Sequence, residues 1–266
     1  MLKSKVTGLD YDLVTLEDGT LPILKPMSIV AGKLSIQCGA TALQASYGGR
    51  GILLGGLDGV KPGNVVVVGA GAAGSSAAWV AHGIGANVTV IDINESRLTT
   101  FLNTSERMQA LLSSPETLDK AIIEADLVIG SVLVPGDQAP KLLTRDMLTR
   151  MRKGTVIVDI CIDQGGFAES SRSTSIAEPT YIEDGVVHYC VPNMPALVPR
   201  TSTMALTAET IKWIELIAEK GVAGAIKSSN PLEKSLTTLK GNLTNQIIGK
   251  VLGIPSISKE ESAALL

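Results

Sequence analysis

The chain has 266 residues, of which 45% are hydrophobic, 18% charged and only 3% aromatic. This length can bury a substantial core, and the profile is typical of an aliphatic α/β protein whose sheet is covered on both faces. A net charge of −3 without a basic stripe argues against a nucleic-acid partner. No apolar run reaches the length of a membrane span, so we expect no membrane association.

The three cysteines, Cys38, Cys161 and Cys190, are an odd number at wide spacing and form no CxxC pair. This usage argues against a disulfide framework and against a structural zinc site. We therefore expect reduced thiols in a cytoplasmic protein, with the cysteines as small core residues and no bound metal.

The first 64 residues predict one helix between irregular segments. Residues 11–24 contain an Asp-Gly turn between two strand-like runs. Residues 26–46 carry apolar side chains at helical spacing, with Pro26 and Ser28 near the start. Residues 47–64 are dense in glycine and predict loops and turns, around one short strand at most.

A regular alternation of strands and helices follows. The predicted strands are 64–71, 87–93, 126–136 and 154–163. The predicted helices are 72–86, 114–125 and 144–151, with a helix and a loop in 95–113. This alternation, with aliphatic strands, predicts a right-handed, doubly wound parallel sheet.

Beyond Gly166 the pattern is less regular. It predicts a polar loop over 165–181, a short strand over 186–191 and an extended, proline-rich segment over 193–203. It also predicts an amphipathic helix over 207–221, which begins at a threonine cap and ends at Lys220-Gly221, and a further helix over 237–253.

The strongest motif is the run GAGAAG, which contains Gly69, Gly71 and Gly74 between a predicted strand and a predicted helix. A GxGxxG run in this context is typical of a dinucleotide site. The first glycine permits the tight turn, the second lets the backbone approach a pyrophosphate, and the third lets the helix pack closely on the sheet. The free N–H groups at the helix start then face the phosphates.

The next predicted strand ends in Asp92, close to the expected offset for the residue that binds the adenosine ribose. A carboxylate there accepts hydrogen bonds from both ribose hydroxyls and repels a 2′-phosphate. The sequence therefore predicts NAD rather than NADP, although Arg97 lies close enough to accommodate that phosphate.

Ligands of such sheets bind outside the carboxyl ends of the strands, which here are residues 131–133 and 160–163. Asp163 lies at such an end and next to glycine, so it can face the crevice. Asp159 stands four residues earlier, and an uninterrupted strand would point both aspartates to one face. A kink near Cys161 would separate them, so the spacing leaves their roles open.

Segments from about residue 10 to beyond residue 220 are also recognisable. They are PMSIVAG, GGRGILLGG, VVVVGAGAAG, VIDIN, ADLVIGSVLVPG, APKLLTRDML, VIVDICIDQGG and HYCVPNMPALVPRTST. In this order they resemble the NAD-dependent L-alanine dehydrogenase family and, more distantly, the proton-translocating nicotinamide nucleotide transhydrogenases. The combination of IDQGG with VPNMPxxVPRTST points to the alanine dehydrogenase branch.

The resemblance implies an oxidoreductase of L-alanine catabolism that converts L-alanine reversibly to pyruvate and ammonium, with NAD as hydride acceptor. It implies that Asp163 is catalytic and that Asn193 lies close to the substrate. It also implies cofactor contacts for Ser28, Ala72, Ala73, Asp92, Arg97, Ser113, Val132, Leu133, Ile160, Cys161, Ile162, Asp163, Arg172, Val191, Pro192, Asn193 and Met194. For Arg172, a solvated loop arginine is the alternative.

The family's substrate domain combines an N-terminal half with a returning C-terminal segment, and we expect the N-terminal half to be missing from this sequence. That half carries the family's catalytic histidine and the arginine and lysine that hold the substrate carboxylate. The two histidines of this chain, His82 and His188, match no catalytic position, so we expect structural roles for both. Without an acid–base partner and carboxylate-binding cations, turnover by this chain alone is in doubt.

These inferences combine into one predicted organisation. The fold class is α/β, a Rossmann-type doubly wound parallel sheet with a residual, incomplete second domain. We expect a remnant and linker of the substrate domain in residues 1–26, an NAD-binding domain in 27–192 and a returning segment in 193–266. The resemblance implies a homo-oligomer, commonly a hexamer, or a separately encoded N-terminal half as partner.

Three hypotheses of function remain open at this point. The first is an alanine dehydrogenase, either as a fragment of a gene or as one polypeptide that needs a separately encoded N-terminal half. The second is a non-catalytic NAD-binding protein, such as a sensor or an assembly subunit. The third is a transhydrogenase-type domain, which needs no amino-acid pocket and which the IDQGG and NMP segments disfavour.

Overall fold

The computed structural model describes residues 1–133 and 138–266. It divides into two compact units: the sheet unit, residues 28–198, and the terminal unit, formed by residues 1–27 and 199–266. Within the described ranges, no helix combines the length and the apolar content that crossing a bilayer requires.

The regular elements are named here in chain order. They are β1 (Gly8–Leu9), α1 (Leu24–Ala42), β2 (Asn64–Val68), α2 (Ala72–Gly83), β3 (Asn87–Asp92), α3 (Glu95–Leu98), β4 (Met108–Leu112), α4 (Pro115–Glu124), β5 (Leu127–Gly130), α5 (Arg145–Arg150), β6 (Val156–Asp159), β7 (Thr180–Glu183), β8 (Val186–Tyr189), α6 (Pro199–Ser228), α7 (Asn230–Ser235), β9 (Leu236–Leu239), β10 (Asn242–Leu243), α8 (Gln246–Leu252) and α9 (Lys259–Leu265).

In the described part of the sheet unit, seven strands form one sheet in the order β4-β3-β2-β5-β6-β8-β7. All neighbouring pairs are parallel except β7 with β8. Apart from that antiparallel edge strand, this is the strand order of a Rossmann fold, with the reversal point between β2 and β5. The predicted fold class is confirmed.

Helices cover both faces of the sheet. Successive residues of a strand point to opposite faces. On β5, the side chain of Leu127 lies against Gly39 of α1, whereas Val128 belongs to a buried cluster that also contains Leu118 and Ile122 of α4. The central strands β2, β5, β6 and β8 are buried along almost their whole length, which explains their continuous aliphatic sequence.

The terminal unit has its own small core. Its two chain segments are joined by a sheet in which β9 pairs antiparallel with both β1 and β10. Trp213 of α6 is buried beside Val14 and Ile23 from the first segment and Leu232 of α7. Helix α6 leaves helical geometry at Gly221 (φ 66°, ψ 166°).

Several predicted elements are wrong in detail. The two strand-like runs in 11–24 are not strands: Tyr11–Leu13 form a 3-10 turn, although the Asp-Gly turn is present. The segment 193–203 is not extended, since Met194–Leu197 form a 3-10 turn and Pro199 begins α6. Proline is tolerated at the start of a helix because the N–H that it lacks would have no partner within the helix there.

Strands were missed where they lie at a sheet edge or in a short hairpin. The region 95–113 contains β4, and the loop 165–181 runs into β7. The predicted helix 237–253 begins as the β9–β10 hairpin and becomes helical only in α8. The predicted strand 126–136 ends at Gly130, and its last three residues lie outside the described residues.

Candidate functional site

The glycine-rich turn between β2 and α2 is tightly built around two of its three glycines. A Cβ on Gly74 would lie 1.7 Å from the carbonyl oxygen of Gly69, and a Cβ on Gly69 would lie 2.5 Å from the carbonyl oxygen of Ser131. Gly69 also has a positive φ of 98°, which favours glycine. Gly71 differs, because a Cβ there would meet nothing within 4 Å. The turn thus has open space at its middle glycine.

Helix α1 contacts this turn directly. A Cβ on Gly32 would lie 2.0 Å from the carbonyl oxygen of Ala73, so the two backbones touch. Ser28 lies four residues earlier in α1 and therefore on the same face of the helix. The helical spacing therefore places Ser28 on the side of α1 that faces the turn.

Asp92, the last residue of β3, is bound to the glycine-rich turn. Its Oδ2 accepts a hydrogen bond from the N–H of Ala70 at 2.6 Å, and its Oδ1 accepts one from the N–H of Asn94 at 2.8 Å. The Nη1 of Arg97 lies 3.8 Å from Oδ2, and the arginine side chain is largely exposed. Each carboxylate oxygen keeps a second lone pair for a further donor.

Ser113 follows β4 at the same edge of the sheet. Its N–H donates to the backbone carbonyl of Asp92 at 2.9 Å. The next residue, Ser114, caps α4 by accepting the N–H of Thr117, while the Thr117 hydroxyl accepts the N–H of Ser114. Ser113 is therefore held between the end of β3 and the start of α4.

The ends of β5 and β6 are joined by a thiol. The N–H of Val132 donates to the Sγ of Cys161 at 3.0 Å, and the N–H of Ile160 donates to the carbonyl of Gly130 at 2.9 Å. Burial raises the pKa of the Cys161 thiol, as does the neighbouring Asp159, so this sulfur stays protonated. Leu133 is partly exposed beside this junction.

Asp159 and Asp163 have opposite environments. β6 ends at Asp159, which is fully buried, and its carboxylate accepts the N–H groups of Cys161 and Phe167 and the hydroxyl of Ser171. Asp163 lies on a 3-10 turn, Ile162–Gln164, and is exposed. Because the strand ends before Cys161, the two carboxylates do not point to one face of the sheet, although they are four residues apart. They lie in different environments.

Asp163 is paired with the segment that follows β8. Its Oδ2 accepts the N–H of Asn193 at 3.1 Å. Asn193 adopts a left-handed backbone (φ 49°, ψ 50°), while its neighbours Val191 and Met194 are buried. The predicted catalytic aspartate and the residue predicted to lie close to the substrate are therefore in contact.

Because the central strands are parallel, their carboxyl ends lie along one edge of the sheet. The register pairs Val68 with Ile91 and Gly130, Gly130 with Asp159, and Val158 with Tyr189. The residues predicted from the sequence that lie at or just after the strand ends are Gly69, Gly71, Ala72, Ala73, Gly74, Asp92, Ser113, Val132, Leu133, Ile160, Cys161, Ile162, Asp163, Val191, Pro192, Asn193 and Met194.

Arg172 has a different contact. The guanidinium carbon of Arg172 lies 3.8 Å from the ring centroid of Tyr181, and the backbone N–H of Arg172 donates to the Tyr181 hydroxyl. Tyr181 in turn stacks on His188 with 4.7 Å between ring centroids. This arrangement is a cation–π contact on the β7–β8 hairpin.

Both histidines make side-chain contacts with serine hydroxyls of the sheet unit. His188 is fully buried, with its Nε2 2.8 Å from the hydroxyl of Ser170, and burial lowers its pKa. The Nε2 of His82 lies 2.7 Å from the hydroxyl of Ser105. Both contacts are structural ones.

The sequence analysis assigned no contact to two residues near the site. The hydroxyl of Ser131 donates to the carbonyls of Val68 and Gly69, each at 2.9 Å, and so braces the glycine-rich turn. The ammonium of Lys141 donates to carbonyls of the turn that carries Asp163. No local pattern marks either residue, because both contacts join segments more than 20 residues apart.

The sequence matches a family model described as "Alanine dehydrogenase/PNT, C-terminal domain" over residues 35–246. The chain belongs to this family. It is 46% identical over 264 residues to an alanine dehydrogenase of Staphylococcus haemolyticus and 45% identical to one of Halomonas elongata. These alignments cover 98% and 100% of this chain and 71% of each relative.

Solved structures give the same result. A structure titled L-alanine dehydrogenase superposes with a TM-score of 0.89 at 43% identity and covers 95% of this chain and 70% of that one. A transhydrogenase from Sinorhizobium meliloti gives a TM-score of 0.73 at 21% identity, over 91% and 67% of the two chains, and shares the fold.

NAD is the cofactor of this family, and the residues of this chain fit it. The open space at Gly71 lies at the start of α2, where free N–H groups face outward. The two crowded glycines at either side hold that backbone in place. A carboxylate with unused lone pairs, Asp92, stands at the end of the neighbouring strand. These are the elements that a dinucleotide's pyrophosphate and ribose require.

Proposed function

We propose that this chain binds NAD along the carboxyl edge of its sheet and provides this site for the oxidation of L-alanine to pyruvate and ammonium, as a step of L-alanine catabolism. The observation that carries the proposal is the exposed Asp163 carboxylate at the same edge as the glycine-rich turn. Its support is the family membership and the high identity to alanine dehydrogenases over nearly the whole chain.

The cofactor-binding roles divide into two ends. We call the Gly69–Gly74 turn with Asp92 and Ser113 the adenosine end. There the backbone N–H groups at Gly71, Ala72 and Ala73 bind the pyrophosphate, with Ser28 beside them, and Asp92 accepts the ribose hydroxyls. Arg97, at 3.8 Å from Asp92, neutralises part of its charge.

We call the turn 160–168 with Val132, Leu133 and residues 191–194 the nicotinamide end. These residues would hold the nicotinamide ring of NAD, which would supply the hydride acceptor for the oxidation at the substrate Cα. The N–H of Val132 and the Sγ of Cys161 hold two strand ends together there, and both residues present apolar side chains to this end of the site. Asp163, fixed by the N–H of Asn193, is placed to hold the substrate ammonium or to accept a proton from it.

The reaction needs further groups, namely a second acid–base residue and cations that bind the substrate carboxylate. His82 and His188, the only histidines of the 266 residues, are engaged elsewhere. We propose that a further polypeptide region, of the kind that the relatives have beyond the aligned 71%, supplies these groups. Cytoplasmic location, a homo-oligomeric and hexameric state and the domain boundaries 1–26, 27–192 and 193–266 remain predictions.

The first test is NADH binding, followed by the fluorescence of the nucleotide. We expect binding by the wild-type chain and a loss of at least about tenfold in affinity for Asp92→Ala, because charge-assisted hydrogen bonds are lost. The control is Glu106→Gln, which removes an exposed carboxylate just before β4, at the opposite edge of the sheet. Unchanged affinity of Asp92→Ala would show that the cofactor site is wrongly placed.

The second test is NAD reduction with L-alanine at alkaline pH, with and without a polypeptide equivalent to the unaligned part of the relatives. Alanine-dependent NADH formation supports the proposal, and Asp163→Asn should then abolish turnover while keeping NADH affinity. NADH binding without reduction in either preparation would instead identify a non-catalytic NAD-binding protein.

A further inference from the structure

The turn that carries Asp163 is bound at both ends by one buried carboxylate. The Oδ1 of Asp159 accepts the N–H of Cys161, and its Oδ2 accepts the N–H of Phe167, both at 2.9 Å. The hydroxyl of Ser171 donates to the same Oδ2. Asp159 therefore fixes the chain at Cys161, just after β6, and again at Phe167, six residues later.

A positively charged side chain, that of Lys141, binds the second half of the same turn. The Nζ of Lys141 donates to the carbonyl oxygens of Gly165, Gly166 (2.8 Å) and Ala168 (3.2 Å). An ammonium group has three N–H donors, so these three carbonyls use all of them. Gly165 and Gly166 both have positive φ values, 92° and 81°, a backbone that other residues rarely adopt.

The two charged groups also act on each other. Burial raises the pKa of the Asp159 carboxyl, while the hydrogen bonds from Ser171, Phe167 and Cys161 and the charge of Lys141 lower it. A buried carboxylate and a cation that each bind the backbone of one turn restrain it more than neutral side chains would, since charge-assisted hydrogen bonds are the stronger kind.

We propose that Lys141 and Asp159 are positioning residues: they clamp the turn 160–168 so that the Asp163 carboxylate stays at the N–H of Asn193. Neither residue touches the substrate. The catalytic meaning of this clamp rests on the function proposed above, whereas the clamp itself is a property of the chain. Lys141 is the better residue to test, because it is on the outside of the turn and its loss leaves no buried carboxylate without partners.

The experiment uses NMR of the full chain and follows the amide proton of Asn193. Asp163→Ala removes its acceptor and supplies the reference value for an unbound amide. Lys141→Met keeps most of the length of the side chain and removes its donors. In this variant we expect the chemical shift of the Asn193 amide proton to move more than half-way to that reference. We expect exchange with solvent to be about tenfold faster, as for the loss of one hydrogen bond. Lys141→Arg should restore much of the wild-type value.

Controls separate positioning from general loosening. Lys120→Met removes an exposed lysine of α4 and should leave Asn193 unchanged. The amides of Val67 and Val90, in β2 and β3, should keep their slow exchange in Lys141→Met. A wild-type Asn193 signal in Lys141→Met, or faster exchange throughout the sheet, would overturn the proposal. If the wild-type chain fails to bind NADH while Asn193 responds as expected, the proposed function fails and the clamp stands.

Discussion

The adenosine end and the nicotinamide end of the site are built in different ways. At the adenosine end, the glycine-rich turn and Asp92 belong to one strand–helix–strand segment, and the hydrogen bond that joins them spans 22 residues. At the nicotinamide end, Asp163 depends on Lys141, which lies before it, and on Asn193, which follows 30 residues later. The first end is therefore a local motif, and the second is an assembly of three separate segments.

The largest effect should separate two glycines within the adenosine end. Gly74→Ala places a methyl group against the carbonyl of Gly69, so we expect a loss of about 3 kcal/mol in the free energy of unfolding. Gly71→Ala has open space and an ordinary φ of −70°, so its unfolding free energy should stay within about 1 kcal/mol of wild type. Its NADH affinity should nevertheless fall, because the methyl group occupies the phosphate space. Chemical denaturation and NADH titration check both, and equal stabilities would contradict the tight packing of this turn.

The nicotinamide end should separate its two aspartates. Three donors bind the Asp159 carboxylate, namely two backbone N–H groups and one hydroxyl. In Asp159→Asn one of them faces an amide N–H₂, which cannot accept its hydrogen bond, so we expect a loss of about 2 kcal/mol in the free energy of unfolding. Asp163→Asn should change it by less than about 0.5 kcal/mol, because this side chain is exposed. Urea denaturation measures both values. A greater loss for Asp163→Asn would show that the division between a structural and a functional aspartate is wrong.

The stability of the β7–β8 hairpin, which carries His188, should depend on pH. Burial lowers the pKa of His188 in the folded chain below the ordinary value of 6.5. The neutral histidine thus contributes stability that is present above that ordinary value and is lost as the pH falls below it. The unfolding free energy of wild type, relative to His188→Gln, should decrease between pH 7.5 and pH 5. Denaturation curves that remain parallel at every pH would contradict this.

The smallest effect concerns Arg172, for which the sequence left two roles open. Its cation–π contact with Tyr181 at an exposed site predicts that Arg172→Met loses about 0.5–1 kcal/mol of stability. NADH affinity should then be unchanged. A weaker NADH affinity with unchanged stability would instead support the cofactor contact implied by the resemblance.

The parts of the molecule that sequence patterns predicted are those with local causes. The GxGxxG turn, the aliphatic central strands and the capped helix α4 each depend on neighbours in the chain. β4 was missed because its sequence, MQALL, has no β-branched residue and becomes a strand only by pairing with β3. β7 was missed because it is formed by its antiparallel pairing with β8 in an otherwise polar stretch.

Two predicted elements were wrong for the same physical reason: the pattern of apolar side chains does not indicate where the backbone turns. The β9–β10 hairpin turns at Lys240-Gly241, where both residues have positive φ values (48° and 92°). β6 ends at Asp159 because that side chain binds the backbone two residues later, and the following turn needs two left-handed glycines. Period-two reasoning extended the strand to Asp163 and so could not separate the aspartates.

Asn193 illustrates how a position at a binding site can be selected by the backbone. Its left-handed conformation is accessible to asparagine, aspartate and glycine and costs other residues about 1 kcal/mol or more. The contact it makes with Asp163 uses the peptide N–H, which every residue except proline carries. The residue types accepted at position 193 should therefore be ordered by how easily each adopts the left-handed backbone conformation. Different side chains at this position can then supply the same peptide N–H in the same place.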